Sequence, residues 1–458
     1  MRSRPLVPAP AKAAAVRRGR FAAAFGPRFF VLLAAGVVLV GPAWLDPRAL
    51  WVLAAWNLLV GAVWVADLRR IPGEGEVEIT RSWKTPPALR VHAPVWIEVQ
   101  NRGQVPVRVD AVDDVPLALR EDVIPLTLDI APGATARVEY DIDPADRGDV
   151  MLGGVSLRVR SQWAVAERWL TAPATQTVRV YPDMEGARRE TMYLLRSRQV
   201  ALEKRRARIP ALGRDFESLR DYQPGDDPRD ICWTVTARRG RPVTKVYQPE
   251  RSQAVWILVD GGRLLRARVG NRTKLDGMVN AALALGEVAS GAGDRVGLVT
   301  YGRRIHQRIA PARGPQHLRV MLEALATVPA ERSEADHTAA AAAVMTAQKQ
   351  RALVVWLTDL AETAGTPDVV EHAAGLSARH VVLFAITREP EWTTVAAAAP
   401  ANEDAMFRMV AVQEMLDRRE TLLKGLRQRG VLVLEMAPGA PAAMLIDQYL
   451  SVKDRNLI

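Results

Sequence analysis

Residues 254–260 read Ala-Val-Trp-Ile-Leu-Val-Asp, an apolar run that ends in a single carboxylate. An uninterrupted apolar run of this length predicts a strand buried on both faces, as in the middle of a parallel sheet. A second run, Leu-Val-Val-Trp-Leu-Thr-Asp at residues 353–359, repeats the pattern and also ends in an aspartate. These two runs determine the fold class that we predict for the C-terminal part of the chain.

Strand and helix patterns alternate around these two runs. Further strands are predicted at residues 295–301, 381–386 and 431–436, with a short extended piece near Ile305, and helices at residues 274–290, 316–327, 335–348, 408–429 and from Ala442 onward. The alternation is typical of a doubly wound α/β domain, which we place at residues 251–458. Such sheets carry their sites beyond the carboxyl ends of the strands, where the strand order reverses. Asp260 and Asp359 are therefore candidate site residues.

Residues 75–181 show a different pattern, in which apolar and polar side chains alternate with a period of two. Val95, Ile97 and Val99 form one such series, and turn residues such as Gly153-Gly154 separate the runs. Short alternating strands at this spacing predict a small antiparallel β-sandwich. A basic and helical pattern follows at residues 184–208, within a connecting segment that we place at residues 182–250.

Residues 29–45 and 50–66 are almost entirely apolar and carry no charged side chain, and each is close to the lower length limit for crossing a membrane. The four residues between them allow only an antiparallel hairpin. Arginines flank the pair, with a single arginine in the turn, which by the positive-inside rule leaves both termini in the cytoplasm. We therefore predict a basic cytoplasmic N-terminus at residues 1–28 and a transmembrane hairpin at residues 29–70 of the inner membrane. The alternatives are a cleaved signal peptide and a buried helical hairpin.

The densest motif precedes the α/β domain, where residues 215–238 read DFESLRDYQPGDDPRDICWTVTAR. Its Pro-Gly dipeptide predicts a turn, and the Asp-Pro pair that follows predicts the start of a short helix. Alternating Arg and Asp side chains surround three aromatic residues, Phe216, Tyr222 and Trp233. This arrangement predicts ion pairs over an aromatic cluster.

This motif resembles the signature of the bacterial domain-of-unknown-function family 58, eF-x-x-LR-x-Y-x-x-GD-x-x-R-x-I-x-W-x-x-x-AR. The match has no gaps, and the chain departs from the family at Cys232, where members often have Asp. The resemblance also implies a MoxR-type AAA+ ATPase as partner, in a chaperone-like assembly. It implies an interaction role for the residues that match the signature, which are Arg214, Asp215, Phe216, Arg220, Tyr222, Gly225, Asp226, Arg229, Trp233 and Arg238.

A metal site is the sharper hypothesis for the strand-end aspartates. Thr338 opens the helix that precedes the second of them, and Mg²⁺ prefers carboxylate, hydroxyl and water oxygens. The trio Asp260, Thr338 and Asp359 resembles the metal-ion-dependent adhesion site of von Willebrand factor A domains, whose first motif is Asp-x-Ser-x-Ser. The serine positions here are Gly262 and Leu264, and neither side chain offers an oxygen. The resemblance implies a degenerate site. We expect no cofactor there, with Mg²⁺ as the alternative. Without a metal, the two aspartates would cap helix N-termini and bond to loops.

Composition narrows the function classes. The single cysteine excludes an internal disulfide framework, and much of the net charge of +11 lies beside the apolar segments or in the basic stretch. We find no zinc-finger spacing or basic recognition helix, so no nucleic-acid partner is expected. The motifs HExxH, GxSxG and GxxxxGK[ST] are absent from the sequence, which counts against hydrolases and nucleotidases.

The sequence therefore predicts a multidomain membrane protein with two N-terminal transmembrane helices, an antiparallel β-sandwich and a doubly wound α/β domain of the Rossmann and von Willebrand factor A type. Three functions remain open. The first is a non-enzymatic adaptor that holds other proteins at the lipid bilayer. The second is a divalent-cation-dependent receptor, and the third is a hydrolase, which only the acidic pair motivates.

Overall fold

The computed structural model describes most of the chain, and its residues group into two compact units, 1–183 and 184–458. The described residues are 7–13, 17–38, 49–120, 122, 125–183, 185–186, 188–189, 215–223, 226, 228–248, 253–270, 272–360, 366–455 and 457.

The first unit is an antiparallel β-sandwich, as the period-two alternation predicts. Its strands are β1 (Ala11–Ala13), β2 (Arg17–Phe25), β3 (Val77–Trp83), β4 (Ala93–Asn101), β5 (Val107–Asp113), β6 (Leu126–Ile130), β7 (Thr135–Ile142), β8 (Gly148–Leu152), β9 (Val155–Ser161), β10 (Ala166–Ala172) and β11 (Gln176–Val180). One sheet has the order β1-β3-β4-β7, a second has the order β2-β10-β9-β5-β6, and β8 pairs with β11. Alternate side chains of β4, including Val95, Ile97 and Val99, are buried against residues of the second sheet such as Val109 and Leu157.

The N-terminal residues correct one sequence-based boundary. Residues 1–28 were expected to form a separate basic terminus, but β1 pairs with β3 and β2 pairs with β10. Both are edge strands, and an edge strand accommodates many charged residues because one side of its backbone faces no partner strand. In the sequence, the arginines of β2 suggest the flank of a membrane span. In the structure, the backbone that carries them is an edge strand of the sandwich.

Two apolar helices follow β2, namely α1 (Pro27–Val37) and α2 (Ala49–Arg70). By length and composition, the part of the chain that the structure describes contains one helix able to cross a membrane, Leu50–Arg70. The helix α1 is shorter than a crossing requires, and the end of the first predicted span lies outside the described residues. Two transmembrane helices are therefore not confirmed.

The start of α1 and the end of α2 meet at the same loop of the sandwich. The amide of Gly26, just before α1, donates to the carbonyl oxygen of Val165 at 2.8 Å. Asp67, near the end of α2, is fully buried and accepts hydrogen bonds from the amides of Val165 at 3.0 Å and Ala166 at 2.8 Å. The chain thus leaves the sandwich and returns to it at one point.

A buried ion pair links the two sheets of the sandwich. Arg81 of β3 and Asp113 of β5 both have fully buried side chains, and the Arg81 Nε donates to Asp113 Oδ2 at 2.9 Å. The two terminal nitrogens of the same guanidinium group donate to the carbonyl oxygens of Ala174 at 2.7 Å and Gly153 at 3.0 Å. Tyr140 donates its hydroxyl to Asp113 at 2.5 Å, and burial raises the pKa of this phenol. The buried charges are therefore balanced and hydrogen bonded.

Removing one member of this pair should strongly destabilise the sandwich. We expect Arg81→Met to lower the free energy of opening by about 3–5 kcal/mol, because Asp113 becomes an uncompensated buried charge. Native-state hydrogen exchange at β3 and β5 measures this quantity. The matched control is Arg108→Met, whose ion pair with Asp129 is exposed, and it should leave exchange unchanged. Equal effects of the two substitutions would contradict the prediction.

The second unit contains a six-stranded sheet and the signature segment. Its strands are β12 (Asp215–Asp221), β13 (Val243–Gln248), β14 (Ala254–Asp260), β15 (Arg268–Val269), β16 (Arg272–Thr273), β17 (Arg295–Tyr301), β18 (Ile305–Ala312), β19 (Leu353–Leu357), β20 (Val381–Thr387) and β21 (Leu432–Met436). Its helices are α3 (Trp233–Arg239), α4 (Lys274–Gly291), α5 (Pro315–Ala326), α6 (His337–Ala347), α7 (Thr366–Ser377), α8 (Pro390–Ala397), α9 (Glu403–Gln428) and α10 (Pro441–Asp454), with 3-10 turns at Pro228–Asp230 and Arg263–Arg266.

The large sheet has the strand order β18-β17-β14-β19-β20-β21. All pairs are parallel except β17 with β18. The chain builds outward from β14 to β18 and then returns to β19 on the other side of β14, so the strand order reverses between β14 and β19. Every side chain of these two strands is buried, as predicted. The doubly wound architecture is therefore present, with its reversal point between the two strands that end in aspartates.

Four elements of this unit differ from the sequence-based expectations. The short piece near Ile305 is the eight-residue antiparallel edge strand β18, and the helices α7 and α8 were not predicted. The helix expected at residues 408–429 begins earlier, at Glu403, where Asn402 caps it by accepting from the amide of Ala405 at 2.8 Å. Most of the basic segment at residues 184–208 lies outside the described residues.

Candidate functional site

Asp260, the last residue of β14, is buried at the reversal point and bonded internally. Its Oδ1 accepts from the amide of Gly262 at 2.6 Å, and its Oδ2 accepts from the hydroxyl of Thr358, just after β19, at 2.6 Å. Burial raises the pKa of Asp260, and these hydrogen bonds oppose the shift. The carboxylate therefore joins the ends of the two central strands.

Three ring side chains line the same end of the sheet. The Trp356 Nε1 can only donate, and it does so to the hydroxyl of Tyr301 at 2.6 Å. The Tyr301 hydroxyl oxygen lies 3.1 Å from His337 Nδ1, within hydrogen-bond distance. Burial lowers the pKa of His337, which favours the neutral form of the ring. His337, the first residue of α6, therefore contacts Tyr301 at this end of the sheet.

The second strand-end carboxylate belongs to a buried ion network. Lys274, the first residue of α4, places its Nζ 2.6 Å from Asp359 Oδ2 and also pairs with Glu389, which follows β20. Arg419 of α9 lies 3.4 Å from Asp359 Oδ1 and donates to the carbonyl oxygen of Thr387 at 2.5 Å. We call Lys274, Asp359, Glu389 and Arg419 the strand-end ion network. Its two cations balance its two carboxylates.

The geometry bears directly on the three residues of the metal hypothesis. Thr338 is exposed and its hydroxyl oxygen lies 2.9 Å from His372 Nε2, while Asp260 and Asp359 have the internal partners given above. Among the described residues, no group of three or more His, Cys, Asp or Glu side chains is arranged to hold a metal ion. A Cβ atom at Gly262 would lie 3.0 Å from Ala335, so a serine there would also be crowded.

The signature segment folds into a small antiparallel hairpin, β12 with β13, that carries the helix α3. Arg220 forms a two-point ion pair with Asp226, with N–O distances of 2.7 and 2.6 Å, and the pair lowers the pKa of this aspartate. Tyr222 donates its hydroxyl to the carbonyl oxygen of Asp226 at 3.2 Å, and Arg241 pairs with Asp221 at 2.9 Å. One ion pair of the kind predicted within the motif, Arg220–Asp226, is therefore formed.

The aromatic part of that prediction is wrong for Trp233. Trp233 begins α3 and is 69% exposed, so it does not lie beneath the ion pairs. Arg229 and Arg238 are exposed as well. Asp215 and Phe216 lie in β12, whereas Arg214 and Gly225 fall outside the described residues. We call Trp233, Arg229 and Arg238 the signature surface.

Comparison with known proteins supports the resemblance seen in the signature. Residues 218–395 match the model of the family described as "Protein of unknown function DUF58", which confirms that resemblance for this part of the chain. An uncharacterized protein of Mycobacterium tuberculosis is 30% identical over 184 residues, covering 40% of this chain and 57% of the relative. The chain thus spans little more than half the length of the curated relative it matches.

Among solved structures, the protein BatB from Bacteroides thetaiotaomicron shares 12% identity with a TM-score of 0.31, covering 44% of this chain and 99% of that one. A von Willebrand factor type A protein from Catenulispora acidiphila shares 13% identity with a TM-score of 0.28, covering 45% and 43% of the two chains. These likenesses are weak, and the fold assignment rests on the strand order itself.

The strand-end ion network yields a prediction about Lys274. We expect Lys274→Met to lower the free energy of opening at β19 and β20 by about 3–5 kcal/mol, because buried carboxylates lose their cation. Hydrogen exchange in those strands measures it. We also expect Mg²⁺ or Mn²⁺ to leave the melting temperature of the unsubstituted protein unchanged and to raise that of the variant, where Glu389 has lost Lys274 and Asp359 keeps only Arg419.

The matched control is Lys424→Met, because Lys424 and its partner Glu420 are partly exposed at the surface of α9. It should change neither the exchange rates nor the response to metal. A Mg²⁺-dependent rise in the melting temperature of the unsubstituted protein would contradict the prediction and would favour the cation-dependent receptor.

Proposed function

We propose that this protein is a membrane-anchored, non-enzymatic adaptor that binds protein partners through its α/β unit. The observation that carries the proposal is the internal bonding of the strand-end carboxylates. Asp260 accepts from Gly262 and Thr358, and Asp359 is paired with Lys274 and Arg419. Carboxylates held in this way are poorly placed to exchange protons with a substrate. Binding at outer surfaces is therefore the better use of this unit.

Two observations support the membrane anchor. The helix Leu50–Arg70 has the length and composition of a membrane span. The start of α1 and the end of α2 meet at one loop of the sandwich, which agrees with an anchor whose two ends lie on the same side of the membrane. Together with the flanking arginines, this favours a hairpin with both soluble parts in the cytoplasm.

The signature surface is the proposed contact for a protein partner. Trp233 is 69% exposed, and Trp and Arg side chains are the ones that dominate the energetics of binding hot spots. The Arg220–Asp226 pair and the hairpin hold the backbone below α3 in place, so the surface is organised before binding. The resemblance to the signature family suggests a MoxR-type AAA+ ATPase as the partner.

The proposal is tested by affinity purification of the full chain from its native membranes in the presence of a slowly hydrolysed ATP analogue. We expect an AAA+ ATPase to be retained by the unsubstituted chain. Trp233→Ala should reduce its retention about tenfold or more, since truncating a hot-spot tryptophan costs at least about 2 kcal/mol.

The control is Trp169→Ala, which removes another half-exposed tryptophan, from β10 of the sandwich. It should retain the ATPase like the unsubstituted chain. Failure to retain any AAA+ ATPase under these conditions, or an equal loss in both variants, would count against the proposal.

A further inference from the structure

The helix pair α8–α9 projects from the α/β unit. The buried side chains of α9 are Arg419, Leu423 and Leu426, all in its last turns. Residues 403–418 contain no buried side chain, and α8, which packs against this part of α9, has none either. The C-terminal part of α9 is therefore held by the core, while its first half extends away from it.

An apolar stripe runs along this projecting half. Met406, Phe407 and Val410 are 43%, 61% and 53% exposed. Their spacing of three and four residues places them on one face of the helix. A cluster of large apolar side chains in water is uncommon on a free surface and marks a binding site. We call these three residues the α9 patch.

Acidic side chains border the patch along the same face. Glu403 lies four residues before Phe407, Glu414 lies four residues after Val410, and Asp417 follows three residues later. Glu414 also pairs with Arg418 of its own helix. Residues 390–418 carry five acidic and two basic side chains, a net charge of −3, whereas the whole chain carries +11. The patch is therefore locally acidic in a basic protein.

We infer that the α9 patch is a docking site for a basic amphipathic helix of a partner protein. An apolar centre with an acidic border complements a helix that carries leucine-like side chains on one face and lysine or arginine beside them. This site lies beyond residues 218–395, which match the family model, and it is separate from the signature surface. It does not depend on the identity of any ATPase partner.

The charges disfavour two other occupants. An anionic membrane surface attracts basic segments and repels the acidic border. A second copy of the chain, paired about a two-fold axis, would place the same acidic side chains against each other. A basic helix turns the same charges into attraction.

The test uses a fluorescein-labelled amphipathic peptide of leucine and lysine, about five helical turns long, and the full chain in phosphatidylcholine nanodiscs. Fluorescence anisotropy, corrected for empty nanodiscs, measures the affinity. The lysine peptide should bind the unsubstituted chain, and an otherwise identical glutamate peptide should not. The double substitution Phe407→Ser, Val410→Ser should weaken binding about tenfold or more, because two apolar side chains leave the contact.

Two further variants separate specific docking from general stickiness. Glu414→Gln with Asp417→Asn keeps the shape of the helix and should weaken binding several-fold, with a smaller dependence on salt. Val320→Ser removes a similarly exposed side chain from α5 and should leave the affinity unchanged. Hydrogen exchange in α9 confirms that each variant is folded. Equal binding of the two peptides, equal affinity of the double serine variant, or no binding to the unsubstituted chain would overturn the inference.

Discussion

The carboxyl ends of the strands in the α/β sheet depend on the ion pairs that Lys274 forms there. The ammonium group of Lys274 joins the first turn of α4 to Asp359 after β19 and to Glu389 after β20. Burying these carboxylates without a cation would cost several kcal/mol, and the positive charge removes that penalty. Arg419 adds a second cation and fixes the C-terminal part of α9 to the same edge. One buried network thus sets the positions of two helices and two strand ends.

The sequence predicts part of this edge and misses the rest for a physical reason. Asp260 and Asp359 follow from local patterns, because each closes an apolar run that forms a buried strand. Lys274 lies 85 residues from Asp359 and 115 residues from Glu389, and no local pattern relates them. One signal was present. A lysine at the first position of a helix is repelled by the partial positive charge of the helix N-terminus. Its placement there indicates that an acidic partner elsewhere in the fold stabilises it.

The same contrast between local and distant signals explains the errors in the fold. The pairing of β2 with β10 joins residues far apart in sequence, so the arginine-rich stretch gave no sign of it. The helix α7 did carry a local signal, since Thr366-Pro367-Asp368 is a typical helix start, but Gly375 interrupts its pattern. Five of the six strands of the large sheet were predictable because each is an apolar run, whereas the half-exposed edge strand β18 was expected only as a short extended piece. Burial was therefore easier to predict than the pairing of charges.

The internal bonding of Asp260 and Asp359 determines which parts of the α/β unit remain for binding. Once Asp260 and Asp359 are held by internal donors, specificity must come from side chains elsewhere on the unit. The signature surface contains an exposed tryptophan and two exposed arginines, and the α9 patch presents apolar side chains within an acidic border. Surfaces of opposite charge reject each other's partners, because like charges brought together at an interface cost several kcal/mol. The proposed adaptor function therefore rests on two surfaces of this unit that differ in their chemistry and so call for different partners.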